Sequence, residues 1–277
     1  MGLQGFLDGI PLPVYLVLAI IIIIIPIEIG YRIGKNHRDK KPDKSQMAQV
    51  RAIMGASLGL LAFMLAFSFA VAQKHFEERT NAYLLEVTAI DAAYRGASLL
   101  NQESMNEARD LLRQFVQLRR ETFNAEERGK TEDVAMQIRD AERLHDRLWE
   151  VADRSMQSPG DSIDDSIFSN AIMEMIRAND ERVQHTVFNR ISPIIWLTLL
   201  AMSILSMIIM GYQAGLTGKR SFMATWTLAI TFAVVLTLVA DLDRPQMRLF
   251  KMNQGLMVEL QNRINSEAPP DIEPAPN

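Results

Sequence analysis

The side chains whose types and spacing suit chemistry fall into a few small groups. Glu142 and His145 form an E-x-x-H pair on one helix face, the spacing with which di-iron helical bundles present ligands. His75 with Glu78, and Glu181 with His185, make two further carboxylate–imidazole pairs. Such a site needs inward-facing ligands from several helices, and the local sequences ERLHDR and KHFEER instead have the charge density of a solvated helix face. Solvated ion pairs are therefore expected at these positions, and no metal site. Asp241 and Asp243, beside Arg244 and before Pro245, place two carboxylates at the end of an apolar run. They read either as an ordinary turn between helices or as a cation- or conformation-sensing cluster, because hard cations bind grouped carboxylates.

No H-E-x-x-H, Gly-rich phosphate loop or G-x-S-x-G occurs, so the chain is not expected to be an enzyme. The absence of cysteine excludes a disulfide framework, a thiolate metal site and a Cys nucleophile. A net charge of −4 and the lack of a basic tract with interleaved aromatics set nucleic acid aside as a partner.

The remaining candidates are apolar. Phe63 and Phe67 stand one helical turn apart, and Gly55, Gly59, Ala62 and Ala66 form a neighbouring stripe of small residues that lets helices approach closely. No charge interrupts residues 52–73, 191–212 or 221–240. Ion-coupled transporters commonly use intramembrane carboxylates and broken helices. A passive pore can instead gate by dewetting an apolar constriction. Phe63 and Phe67 either line such a pore or pack between helices.

These residues must be positioned by membrane helices. Apolar residues make up 48% of the 277 and charged residues 22%, yet the mean hydropathy is +0.03, so the apolar residues must be clustered. They concentrate in residues 14–33, 52–72, 191–212 and 222–240, each long enough for a bilayer core of about 30 Å. The expected fold is all-α: four transmembrane helices with a helical-bundle soluble domain between the second and third.

The expected segments are a first span with a short N-terminus over 1–34, a basic loop over 35–50, and the organising second span over 51–73. The soluble domain covers 74–190, the third span 191–212, a short loop 213–221 and the fourth span 222–240. An amphipathic helix over 241–265 and a disordered Pro-rich tail over 266–277 complete the chain.

Within the soluble domain, apolar residues recur at i, i+3, i+4 and i+7. The second span's helix should run on to about residue 100 and break at Asn101, and a helix over 103–124 follows with Leu111, Leu112, Phe115, Val116 and Leu118 as its apolar side. A turn is expected over 126–130. Thr131 before Glu132 and Asp133 signals the next helix, whose apolar side carries Val134, Ile138, Ala141, Leu144, Leu148, Trp149 and Val151, with Trp149 buried. The SPGDS loop, residues 158–162, ends it, and a fourth helix with Ile167, Ala171, Met175, Ile176 and Val183 runs to Arg190. Ser192-Pro193 marks its junction with the third span.

The first thirteen residues carry no Lys or Arg, unlike the n-region of a signal peptide, so the first span is expected to be retained. Pro26 should kink it, and Glu28 can pair with Arg32 at the membrane boundary. Arg32, Lys35, Arg38, Lys40, Lys41, Lys44 and Arg51 in or beside the first loop oppose only Asp39 and Asp43, which places that loop in the cytoplasm.

The GLLAFMLAFSFAVA span, the following LEVTAIDAAYRGASLL, the LLRQFVQLR helix, the approach from Arg190 to Pro193 and the DLDRP after the fourth span resemble the bacterial bestrophin-like family of multi-pass membrane proteins. The likeness covers roughly residues 50–250. Where that family favours E-A-N-A-I-G, this chain has Glu86-Val-Thr-Ala-Ile-Asp91. The resemblance implies an analogy to bestrophins, pentameric anion channels with a hydrophobic neck on the second membrane helix and an acidic calcium-binding cluster. By that analogy Phe63 and Phe67 are neck residues, Asp241, Asp243 and Arg244 form the acidic or gating cluster, and calcium is the implied ligand. A homo-oligomeric ion channel in the inner membrane, with lipid, inorganic ions and further copies of itself as partners, is the leading expectation. The alternative is a non-conducting membrane sensor whose bundle binds a partner.

Overall fold

The computed structural model describes residues 11–38, 43–128, 131–157, 162–188, 190–218, 222–244 and 255–266. Among them there is no strand, as an all-α fold requires. The helices are α1 (Leu12–Arg38), α2 (Lys44–Gly96), α3 (Gln102–Arg128), α4 (Thr131–Gln157), α5 (Ser162–Val183), α6 (Pro193–Thr217), α7 (Phe222–Asp243) and α8 (Gly255–Ser266). α1, α6, α7 and the helical stretch Lys44–Leu99 that contains α2 are long and apolar enough to cross a membrane. The apolar part of α2 ends at Gln73, and from Glu77 the charged remainder belongs to the bundle.

Local sequence accounts for most boundaries. α2 tightens into a 3-10 turn at Ala97–Leu99, Leu100 is extended, and the Asn101 side chain accepts the Ser104 N–H at 2.9 Å to cap α3. Good helix formers carry α3 to Arg128, so residues 126–128 of the expected turn are helical, and residues 129–130 lie outside the described residues. Pro193 opens α6, where a missing N–H costs nothing, and Gly218 closes it in the left-handed region at φ 68°. α5 gives way at Val183 to a π-helical turn, Gln184–Phe188. α1 runs through Pro26, and Glu28 accepts from Arg32 Nε at 3.2 Å as its spacing anticipated. The SPGDS loop up to residue 161, residues 219–221 of the third-to-fourth connection, residues 245–254 of the expected amphipathic helix and the expected disordered tail from 267 lie outside the described residues.

The chain divides into two compact units. Unit 1 comprises Met1–Phe76 and Arg190–Phe250. Its apolar core centres on Ile23, Ile27, Leu61, Leu65, Leu199, Met207, Ala229 and Ala233. Its tightest seam joins α1 to α6. A Cβ on Gly30 or Gly34 would run into the Ile208 or Tyr212 carbonyl, and a Cβ on Gly211 or Gly215 into the Ile27 or Tyr31 carbonyl. Position numbers rise together along both helices, so the two are parallel, each offering a G-x-x-x-G to the other's backbone.

Unit 2 comprises Glu77–Asn189 and Lys251–Asn277. The rest of α2 packs with α3, α4, α5 and α8 around Ile90, Leu111, Leu112, Phe115, Leu148, Phe168, Ile172 and Met175. α8 contributes Met257, Leu260 and Ile264 to this core, and is tied on by Arg263 to Asp91, by Arg120 to Gln261, and by Tyr94 Oη donating to the Ile264 carbonyl at 3.3 Å.

One expectation about this core is corrected. Trp149 is 40% exposed. The buried stripe of α4 runs Ala141, His145, Leu148, Ala152, Ser155, and position 149 lies about 100° around the helix from Leu148. The polar His145 and Ser155 hold core positions that an apolar count gives to Trp149. On α5 likewise Ile167 is exposed, and the stripe is Phe168, Ile172, Met175, Asn179, Arg182.

Candidate functional site

In unit 1, α2 packs inward through Leu61, Leu65, Ser68 and Ala72, spaced by three or four residues, and Ser206 Oγ of α6 donates to the Ser57 carbonyl at 3.2 Å. The sequence candidates lie on other faces. Phe63 and Phe67 are 65% and 49% exposed. Gly55, Gly59, Ala62 and Ala66 are exposed as well, and a Cβ on Gly55 or Gly59 would meet no atom within 4 Å. Beside them Ala62, Leu65, Ala66 and Phe69 form an apolar groove with Thr231, Phe232 and Val235 of α7. Among the described residues nothing packs on Gly55 or Gly59, Ala62 and Ala66 border the groove with α7, and the stripes that do the close packing are Gly30/Gly34 and Gly211/Gly215. Both are i,i+4 glycine pairs at the ends of apolar blocks, a signal present in the sequence.

The acidic pair after the fourth span is built as a clasp. Asp241 and Asp243 are buried, as is Arg244. Asp243 Oδ1 accepts the Ile191 N–H at 2.7 Å and Oδ2 the Trp196 indole N–H at 3.4 Å, which sets a carboxylate at the start of α6 where Ser192 supplies no side-chain cap. The Arg244 guanidinium lies 4.9 Å from the Tyr15 ring centre of α1. The DLDR stretch thus links three helices of unit 1. Both Asp243 oxygens accept from N–H donors of the α6 entry. Among the described residues no three His, Asp or Glu side chains are placed to hold a metal ion.

Unit 2 holds the densest polar arrangement. Glu86 of α2 is fully buried. Arg119 of α3 grips it with Nε at 2.7 Å from Oε1 and Nη2 at 3.2 Å from Oε2, and Asn179 Nδ2 of α5 donates to Oε1 at 2.8 Å. Arg182 Nε lies 3.1 Å from Oε2 as an ion pair rather than an aligned hydrogen bond. Burial alone would push the Glu86 carboxyl up. The Arg119 and Arg182 charges, with the hydrogen bonds from Arg119 and Asn179, outweigh it and hold the group below its ordinary value.

His145, expected on a solvated face, is 7% exposed with its ring 5.1 Å from Phe115. Sequence reasoning missed this centre because polar residues at core positions of a helix read as interruptions of the apolar stripe. The usable signal was register: Glu86 falls four residues after Ala82 and four before Ile90, both buried. The other carboxylate–imidazole pairs meet in part, with His185 Nδ1 3.6 Å from Glu78 and Nε2 3.9 Å from Glu181.

Four apolar helices, an interior sealed by backbone contact and a separate polar-centred helical unit define a helical membrane protein. A family model, the bestrophin-like domain, matches residues 22–246, and the chain belongs to that family. α8 lies beyond the matched residues. No curated protein and no solved structure matches.

Proposed function

We propose that the protein is a passive ion channel of the cell's inner membrane, assembled from several copies with the Phe63 and Phe67 face of α2 turned to a shared lumen. The supporting observation is the division of labour on α2: Leu61, Leu65, Ser68 and Ala72 are used inside the chain, while the phenylalanine rings and the small-residue stripe are left open. Copies meeting at Gly55, Gly59, Ala62 and Ala66 bring their rings together as the narrowest point, and such an apolar ring opposes ion passage by excluding water. Membership of the bestrophin-like family supports the same reading. On this reading the protein is not an enzyme, its partners are lipid, inorganic ions and its own copies, and the first loop faces the cytoplasm.

The test is flux into liposomes at equal reconstituted protein and verified oligomeric state, with chloride and potassium measured separately. Phe63→Ala combined with Phe67→Ala widens and wets the constriction and raises flux of the conducted ion. If neither protein passes either ion at any calcium concentration or voltage, the channel reading fails and a partner-binding bundle replaces it. A single cysteine at Lys40 that reacts with a membrane-impermeant reagent in intact cells, while one at Ser158 does not, would invert the orientation.

A further inference from the structure

We infer that His145 is a proton-sensitive pin of the extramembrane bundle: in mildly acidic medium it takes up a proton that the packed bundle does not accommodate, and α4 loosens from α3 and α5. The geometry carries the inference. His145 sits on the buried stripe of α4 between Ala141 and Leu148, with its ring tilted against Phe115 of α3. Its Nε2 is buried and has no hydrogen-bond partner among the described residues. A neutral imidazole leaves one nitrogen unsatisfied there at modest cost, whereas an imidazolium has two N–H donors and a charge, and each donor then needs an acceptor.

The charges acting on the ring come from each side of the bundle. They are Asp180 of α5, Glu86 of α2, and Asp146 and Glu142 of α4 itself. Glu86, the buried acceptor among them, has its oxygens taken by Arg119 and Asn179, with Arg182 also alongside. The carboxylates favour the charged ring, but burial outweighs them, and His145 is held below the ordinary histidine value. The unfolded or loosened chain therefore binds more protons than the packed one. The sign follows: stability is full above about pH 6.5, the ordinary histidine value, and falls as pH drops below it toward the depressed native value. Glu86, held low, stays ionised in that window, so its ion pairs persist and the response belongs to the histidine.

The experiment uses the full chain in lipid nanodiscs between pH 8 and pH 5. Amide hydrogen exchange of the α3, α4 and α5 core, corrected for intrinsic rate, reports opening. One extra proton per opening event raises the opening constant by up to about tenfold per pH unit inside the window. His145→Phe and His145→Gln remove that slope while other parts of the pH response remain. In parallel, the ring signals of the chain's 4 histidines are followed by NMR, with His145 assigned by its loss in His145→Gln. A midpoint below about 6.5 supports the inference. It is overturned if His145 titrates at or above that value, or if either folded variant keeps the wild-type slope. Should both variants fail to fold, His145 is assigned by elimination from His37→Gln, His75→Gln and His185→Gln, and its wild-type midpoint decides. None of these readouts involves ion flux, so failure here leaves the channel proposal standing, and the reverse.

Discussion

The two units of this chain solve the same packing problem in opposite ways. In unit 1 the closest contact is backbone on backbone, with four glycines letting α1 and α6 come together around an apolar core, and the buried charges are gathered in the DLDR clasp at one end of α7. In unit 2 the apolar core surrounds a fully buried carboxylate held by two guanidiniums and an amide. The difference follows from the solvent. Between helices in lipid, burying an apolar side chain gains little, because the alternative is equally apolar, so close approach and van der Waals contact carry association. In water, burial of Leu, Ile and Phe supplies the driving force, and a buried ion network adds little net stability but penalises every arrangement that breaks it. Unit 1 should therefore be most sensitive to added volume, and unit 2 to removed charge or removed volume.

The largest effect is expected at the α1–α6 seam. Gly211→Leu would drive a side chain into the Ile27 carbonyl, so folded protein recovered from membranes should fall to background, whereas Gly59→Leu, in open space, should leave the fold intact and lower only the oligomer fraction in crosslinking. Equal recovery of both variants would erase the distinction between the two stripes.

Next is Glu86→Gln. It leaves Arg119 and Arg182 without the carboxylate they share, and loss of one partner from a buried ion pair costs about 3–5 kcal/mol. Chemical denaturation of the bundle's signal should show it. Adding Arg119→Met to Glu86→Gln should recover part of the loss, which a merely volumetric effect would not do. By linkage, the stability that Glu86 supplies is present above its unfolded value near 4.5 and is lost as pH falls below it, because its native value is depressed.

A matched pair on α4 comes third. Leu148→Ala should cost about 2–5 kcal/mol and Trp149→Ala less than about 1 kcal/mol, because Leu148 is fully buried and Trp149 is 40% exposed. Thermal melting that ranks the two the other way would put the buried stripe of α4 one position off.

The clasp comes last, with an effect below that of Leu148→Ala. Asp243→Ala frees the Ile191 N–H and the Trp196 indole at about 1–3 kcal/mol, read as a lower melting temperature in detergent. A calcium-dependent melting shift that vanishes in this variant would mean that the clasp binds the ion after all.

What the sequence settled was everything governed by length and solvent preference along one segment. Uninterrupted apolar stretches of about 20 residues can do little but span a bilayer, and so the four membrane helices, the all-α class and the helical bundle were legible in it. Caps and stops such as Asn101 and Pro193 act within a few residues, and they too could be read directly. The partner of each face was not legible, because periodicity gives the direction in which a side chain points and says nothing of what waits there. Gly55/Gly59 and Gly30/Gly34 are the same motif in the same kind of segment, yet only the second meets a backbone, since only the fold brings Gly211 and Gly215 beside it. Trp149 and His145 exchange their expected places for a related reason. Hydrophobicity ranks the indole above the imidazole, but an offset of about 40° around the helix between positions 145 and 149 decides which one enters the core. Glu86, Arg119 and the Asn179/Arg182 pair stand far apart along the chain, and each alone reads as a surface residue. Tertiary packing makes them one centre, because a charge can be buried only where opposite charges and donors arrive from other helices to meet it.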